Sequence, residues 1–249
     1  RDGSLEAAFK AVGINPVMFR PMDKAIQNAF EAGGNIVTSG FPMVGGPGEL
    51  RTIFQFDIRN PTAEAWLKEY SSSLVTEIVD DQRNLIRQAL ERGLANGENP
   101  RATALNLVGR IGPNGKRSGG LIGLTSSQAE WVQNYADALA SDSPTDALNY
   151  NLRDARFDAA VQRAADSGIP LTEDQIDTMT TSYTNRALKY RAESIARTES
   201  MAALHEAQGQ AVDQAIESGE VDPENIEQIW RSTKDKKTRS SHRDMDGQT

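Results

Sequence analysis

The sequence predicts a mainly α-helical protein: an elongated helical body with long helices, an irregular Gly/Pro-rich N-terminal arm and a small mixed α+β C-terminal module. Three observations lead there. Apolar residues recur at helical spacing over most of the chain after residue 60, helix-start signals stand immediately before those stretches, and Gly and Pro crowd residues 40–48 while polar and charged residues fill 234–249. The corresponding division is an arm and linker over 1–59, a helical body over 60–168, and a long helix with a C-terminal module over 169–249.

In the first segment a short helix is expected over about 22–32, stopped by Gly33-Gly34, and residues 40–48 (GFPMVGGPG) hold too much Gly and Pro for a regular element. Residues 53–58 (IFQFDI) alternate apolar and polar side chains, the period of a short strand. Asn60-Pro61 then has the form of an N-cap followed by Pro at the first helical position. Trp66, Tyr70, Leu74, Ile78, Leu85 and Ala89 continue a stripe up to Gly93. Asn99-Pro100 repeats the start signal for a shorter helix through Leu105, Val108 and Ile111. Residues 112–123 (GPNGKRSGGLIG) read as a flexible turn. They are no phosphate loop, because Arg117 follows Gly115-Lys116 where Ser or Thr is needed, and Arg110 stands where the first Gly belongs.

Two capping boxes follow, Thr125 with Gln128 and Thr172 with Gln175, each matching a hydroxyl and a carboxamide to free helix-end N–H groups. The first opens a helix carrying Trp131, Tyr135 and Leu139; a further helix is expected over 152–165, stopping at Gly168. The second box opens a periodic stretch of about forty residues through Ile176, Met179, Tyr183, Leu188 and Ile195 to Ile216, longer than an average globular helix, so either one helix with a kink or two stacked helices. Past Gly219, Asp222-Pro223 caps a turn, 226–233 suits a strand or a helix end, and 234–249 is polar and turn-like. The chain begins at Arg1 and ends at Thr249 just after a Gly-Gln pair, so both ends read as cut and the last module as truncated.

The 249 residues contain no cysteine, which removes disulfide frameworks, thiolate zinc sites and cysteine nucleophiles together. No run of 18 or more apolar residues occurs, so no membrane span is expected. A net charge of −8 argues against a nucleic acid wrapped over the whole surface, and any DNA contact must be local. One stretch qualifies: Arg231, Lys234, Lys236, Lys237, Arg239 and Arg243 face a single acid, Asp235, whereas 206–227 carries seven acids and no base. Such blocks are solvated faces, attach to one another, or dock to an acidic partner or DNA.

Two segments carry more than generic helix chemistry. Ile195-Ala196-Arg197-Thr198-Glu199 lies in the long helix; Trp230-Arg231-Ser232-Thr233, Asp235, Thr238-Arg239, Ser241-His242 and Met245-Asp246-Gly247-Gln248 follow about thirty residues later. In this order and separation they resemble the C-terminal region of the Mu protein F-like family of phage head morphogenesis proteins. That pattern reads ARTE, a Gly-containing spacer, W-x-S/T, D-x-R-x-R-x-x-H and M/L-D-G-Q. Lys237 stands where the first Arg is common. Arg153-Asp154, Arg156-Phe157-Asp158 and 183–190 are also similar to longer members, so the resemblance covers about the last hundred residues.

The resemblance implies a minor head protein in the virion, near the portal vertex, taking part in head assembly, DNA packaging or ejection. Its implied partners are the portal protein and, further, packaged DNA and the major capsid protein. It implies Arg197, Thr198, Glu199, Trp230, Asp235, Arg239, His242, Asp246 and Gly247 as a structural signature. Residues two apart on a helix face different sides, so Arg197 and Glu199 need partners elsewhere. A clamp of Glu199 to Arg239, or of Arg197 to Asp235 or Asp246, with Trp230 as apolar anchor, is the expectation.

Enzyme chemistry has weaker support. His242, Asp244 and Asp246, with His205 and Glu206, form the one His-carboxylate group able to suggest a metal-dependent nuclease or an ejected effector, but HExxH is ruled out because Ala207, Gln208 and Gly209 follow His205-Glu206 without a second His. No Gly-x-Ser-x-Gly occurs, and the Glu-x-Glu pair of the ADP-ribosyltransferases fused to some relatives is absent. A non-enzymatic protein without cofactor or metal is expected. The alternatives are the nuclease or effector and a free DNA-binding module.

Overall fold

The computed structural model describes residues 19–41, 54–111, 117–227, 229–236 and 238–248. The chain is mainly helical. In order come α1 (Arg20–Thr38), α2 (Pro61–Ala95), α3 (Pro100–Val108), the two-residue strands β1 (Arg110–Ile111) and β2 (Arg117–Ser118), α4 (Ser126–Ala140), 3-10 turns at Pro144–Asn149 and Ala155–Phe157, α5 (Asp158–Ser167), α6 (Glu173–Glu217), a 3-10 turn at Pro223–Asn225 and α7 (Ser240–Asp244). The described residues divide into two compact units, one drawn from 19–27 and 65–201, the other from 28–64 and 202–248.

The helix starts follow the sequence signals. Asn60 accepts the Thr62 N–H at 2.9 Å and Asn99 accepts that of Arg101 at 2.9 Å. Thr125 and Gln128 satisfy each other's backbone N–H at 3.2 and 3.1 Å, and Thr172 and Gln175 do the same at 3.3 and 2.9 Å. The periodic stretch opened by the second box is a single helix of 45 residues that passes Gly209 without a break.

In the first unit the core gathers Leu124, Val132, Tyr135, Leu139, Val161, Met179 and Tyr183 from α4, α5, α6 and the turns between them. Tyr135 stacks on Tyr183 with ring centroids 4.4 Å apart, and Tyr150 meets Tyr135 edge-on at 5.5 Å. Such ring pairs add about 0.5–1.5 kcal/mol beyond the area they bury. Buried Gln82 of α2 holds the turn before α4: its Nε2 donates to the Leu124 carbonyl at 2.9 Å, and its Oε1 accepts the Gly123 N–H at 2.7 Å.

In the second unit Phe30 and Phe56 pack at 5.5 Å, and α6 carries a row of fully buried alanines, Ala203, Ala207, Ala211 and Ala215. Two glycines of α1 allow close approach. A Cβ added to Gly33 would lie 2.4 Å from the Leu204 carbonyl oxygen, and one on Gly34 would lie 2.0 Å from the Phe56 ring.

Four sequence expectations are corrected. Gly33-Gly34 does not stop α1, which runs on to Thr38; Gly33 lets α1 cross close to the α6 backbone and Gly34 makes room for the Phe56 ring, where a missing Cβ is worth more than helix propensity. Residues 54–57 form no strand, because their polar groups are met otherwise: the Asp57 N–H donates to Gln214 Oε1 at 3.0 Å and Gln214 Nε2 donates to the Asp57 carbonyl at 3.1 Å. The third helix ends at Val108, since Gly109 turns at φ +79 into β1, which pairs antiparallel with β2 in the register Arg110↔Ser118 and Ile111↔Arg117. The helix expected over 152–165 begins only at Asp158, after Asp154 caps a 3-10 turn by accepting the Arg156 N–H at 3.2 Å. Most of the Gly/Pro-rich stretch 40–48 and the turn residues 112–116 lie outside the described residues.

Candidate functional site

Residues 222–248 form the candidate site, and backbone geometry closes it. Asp222 accepts the Glu224 N–H at 3.0 Å and opens one 3-10 turn. The chain then reaches Trp230, whose N–H donates to the Gln248 carbonyl at 2.9 Å while its own carbonyl accepts the Gly247 N–H at 2.8 Å. Gly247 sits at φ +85, a left-handed position that costs a side-chain-bearing residue about 1–2 kcal/mol, so the Gly of the D-G-Q triplet is required by the turn.

Side chains lock the same closure. Asp246 accepts the Ser232 N–H at 2.8 Å through Oδ1 and pairs with Lys234 Nζ at 2.7 Å through Oδ2. The Lys234 ammonium, followed by the Ser232 N–H, holds the Asp246 carboxyl below the usual carboxylate range. Thr238 donates to Asp235 Oδ1 at 2.9 Å and shares a hydrogen bond with Thr233 at 3.0 Å, bracing the loop before α7. The Arg239 carbonyl accepts the N–H groups of His242 and Arg243, both at 3.1 Å, and starts that short helix. The His242 imidazole then stands edge-on to the Trp230 indole, 5.7 Å between centroids at 81°. Trp230 remains 43 % exposed, so it is a half-covered lid over the turn rather than a buried anchor.

The signature residues Trp230, Asp235, Arg239, His242, Asp246 and Gly247 therefore belong to one closed loop of the second unit. Arg197, Thr198 and Glu199 lie on the α6 portion assigned to the first unit. Glu199 accepts the hydroxyl of Tyr70, and Asp246 is shared by Ser232 and Lys234. Burial and then that hydrogen bond to Glu199 push the Tyr70 phenol well up. A sequence reading misses Tyr70 because 129 residues separate it from Glu199. No strand forms among the described residues of the C-terminal segment, so its expected α+β character reduces to a bridged loop with one short helix.

Among the basic residues, Lys234 is engaged by Asp246, whereas Arg231, Lys236, Arg239 and Arg243 are exposed; Lys237 lies outside the described residues. Among the described residues no ion pair joins this stretch to the acids of 206–227, and no three His, Cys, Asp or Glu side chains gather closely enough to hold a metal ion.

A second polar node lies in the first unit. Asp154, with a side chain 2 % exposed, receives Arg156 Nη2 at 2.6 Å, Ser182 Oγ at 2.9 Å and Arg186 Nη2 at 3.2 Å. The Arg156 guanidinium chiefly holds the Asp154 carboxyl far below the usual range. Arg153 grips Asp158 with two bonds of 3.0 Å, and its carbonyl accepts Arg186 Nη1 at 3.0 Å. These are the residues 153–158 that the resemblance singles out, and they tie the turn before α5 to α6. They act as fasteners, since Arg forks and carboxylates match geometrically.

The site is a loop bearing exposed cations, and in the helical first unit charged side chains staple turns onto helices. The family model described as Phage Mu protein F like protein matches residues 84–249, about two thirds of the chain, and the chain belongs to that family. Membership makes it a phage head-related protein, a component of a virion assembly. No curated protein matches the chain. No solved structure matches it either. Among the described residues no helix is long and apolar enough to cross a membrane.

Proposed function

We propose that the chain is a minor head protein seated near the portal vertex of a phage particle, taking part in head assembly, DNA packaging or ejection through contact rather than catalysis. The observation that carries this reading is the match over residues 84–249, which includes the whole loop closed by Trp230, Asp246 and Gly247. The loop is mechanically fastened, and its exposed cations point to what it touches. Arg231, Lys236, Arg239 and Arg243 stand exposed within residues 231–243 of an otherwise acidic chain, which suits packaged DNA or an acidic face of the portal protein.

The test is compositional. Purified particles should contain the chain at a small fraction of the major capsid protein, and the portal protein should co-purify with it when the two are expressed together. Particles without the chain, or with it at capsid-like abundance, would contradict the reading. Neutralising the four exposed cations to Gln should lower the salt dependence of any duplex DNA binding by up to ~3.6 in log–log slope, four contacts at ~0.9 each. An unchanged slope would leave the portal surface as the contact.

A further inference from the structure

In the first unit a pocket of about 450 Å³ opens between α4, the turn at residues 149–152 and α6. Sites that take a small molecule commonly measure about 300–1,000 Å³. The most deeply buried residue lining it is Tyr183, 3 % exposed, whose ring is fixed by stacking on Tyr135 at 4.4 Å and by an edge contact with Tyr150 at 6.1 Å. Trp131 of α4 and Tyr190 of α6 also line it and leave large aromatic surfaces open, at 40 % and 49 % exposure. Asn134, Asn149 and Asn151 stand among these rings. Among the described residues none of the three carboxamides makes a hydrogen bond, and neither do the hydroxyls of Tyr150, Tyr183 and Tyr190. Among the described residues no Lys, Arg, His, Asp or Glu lines the pocket.

We infer that this pocket binds a neutral saccharide. A lining without charge gives a phosphate, carboxylate or ammonium group no counter-charge, so the ligand is neutral. A carboxamide and a phenolic hydroxyl each donate and accept, as do the adjacent hydroxyls of a sugar ring. A wholly apolar ligand would cover these groups without answering them, and the carbonyls of a proline-rich peptide, which only accept, would leave the three amide oxygens unmet. The aromatic faces of Trp131 and Tyr190 suit the apolar C–H face of a pyranose. Single-stranded nucleic acid also stacks on such faces, but it needs a cationic track for its backbone, and here the lining has no cation and the chain a net charge of −8. The Tyr183 hydroxyl sits on a ring already held from two sides, so little order has to be created when that contact forms. The inference goes beyond the virion role and does not depend on it.

The purified full chain, labelled at its amino terminus, is applied to an array of neutral hexose and N-acetylhexosamine oligosaccharides printed beside sialylated and sulfated ones. Neutral glycans that it retains are then titrated by calorimetry, and one site per chain is expected. Trp131→Ala should raise the Kd by about tenfold, the loss of a stacking face, and Asn149→Ala or Tyr183→Phe by about fivefold, the loss of one hydrogen bond. Gln133→Ala, on α4 but outside the pocket, should change it less than twofold. Trp131 and Asn149 are exposed, so both variants should keep the urea midpoint of the parent chain, which separates lost binding from lost folding. Should Trp131→Ala lower the midpoint, Asn149→Ala and Tyr183→Phe decide the question. The inference is overturned if the array retains no neutral glycan, if it retains acidic glycans alone, or if folded Asn149→Ala and Tyr183→Phe chains bind the retained glycan as the parent does. It is equally overturned if oligothymidylate or decaproline binds in a manner lost with Trp131→Ala while neutral glycans fail to displace it. None of these results touches the virion role, whose own test is the composition of particles.

Discussion

Gly33→Ala is the sharpest test of how the second unit is packed. The added methyl carbon would lie 2.4 Å from the Leu204 carbonyl oxygen and 2.8 Å from the Leu204 Cα, both main-chain atoms that no rotamer change can move. Ordinary contact needs a separation of 3.4 Å or more, so the helices must part by about 1 Å. Overpacking of this kind costs about 1–3 kcal/mol, with the upper half expected against backbone, and helix propensity returns about 1 kcal/mol for Gly to Ala. The net is a loss of about 1–2 kcal/mol, or roughly 0.7 M in urea midpoint at an m-value near 2 kcal/mol/M.

Gly209 supplies the control. It lies in the same long helix as Leu204, and a Cβ there meets nothing within 4 Å. Gly209→Ala should stabilise by about 0.4–1 kcal/mol through propensity and the unfolded chain's entropy. Equilibrium urea unfolding followed by circular dichroism compares the two. If both alanines raise the midpoint, the close crossing is wrong and Gly33 is a mere helix interruption.

Gln82→Ala leaves the Leu124 carbonyl and the Gly123 N–H without their partner and should cost about 1–3 kcal/mol by the same assay, against a near-zero effect for the exposed Gln133→Ala. Burial, and next the charge of Asp158, push the Tyr135 phenol up to about 12 from 10. A raised folded-state value means the stabilisation is complete below pH 10 and is lost as pH rises from 10 to 12, so unfolding in that window should weaken in Tyr135→Phe. Asp246 has a depressed value, so its contribution is present above about pH 4 and lost as the medium is acidified below it. Asp246→Ala should speed hydrogen exchange at the Ser232 and Gly247 amides at neutral pH; unchanged exchange would mean the loop is held by its backbone alone.

Local features are legible in order along the chain. Asn60, Asn99, Thr125 and Thr172 announce their helices because a cap is a contact between residues two or three apart, and the long helix after Thr172 shows in its period. The closing loop is half legible. Trp230, His242, Asp246 and Gly247 stand out in the sequence, but charge alone points Asp246 to the distant Arg197, whereas its partner is Lys234, only twelve residues away. Backbone direction supplies what charge alone does not: the Trp230 and Gly247 bonds bring two stretches of the loop together and set Lys234 beside the carboxylate.

What the sequence determined alone is the helical class, the positions of most helix starts, the absence of cysteine chemistry and the motif order that points to the family. Those depend on neighbours within a turn or two. Only the tertiary structure decided that Gly33-Gly34 continues a helix, that Gln214 replaces a strand partner for Asp57, that Tyr70 takes Glu199, and that Arg191 of α6 takes Asp81 of α2. Each of these is a contact across tens to more than a hundred residues, where burial and the geometry of approach outweigh local propensity.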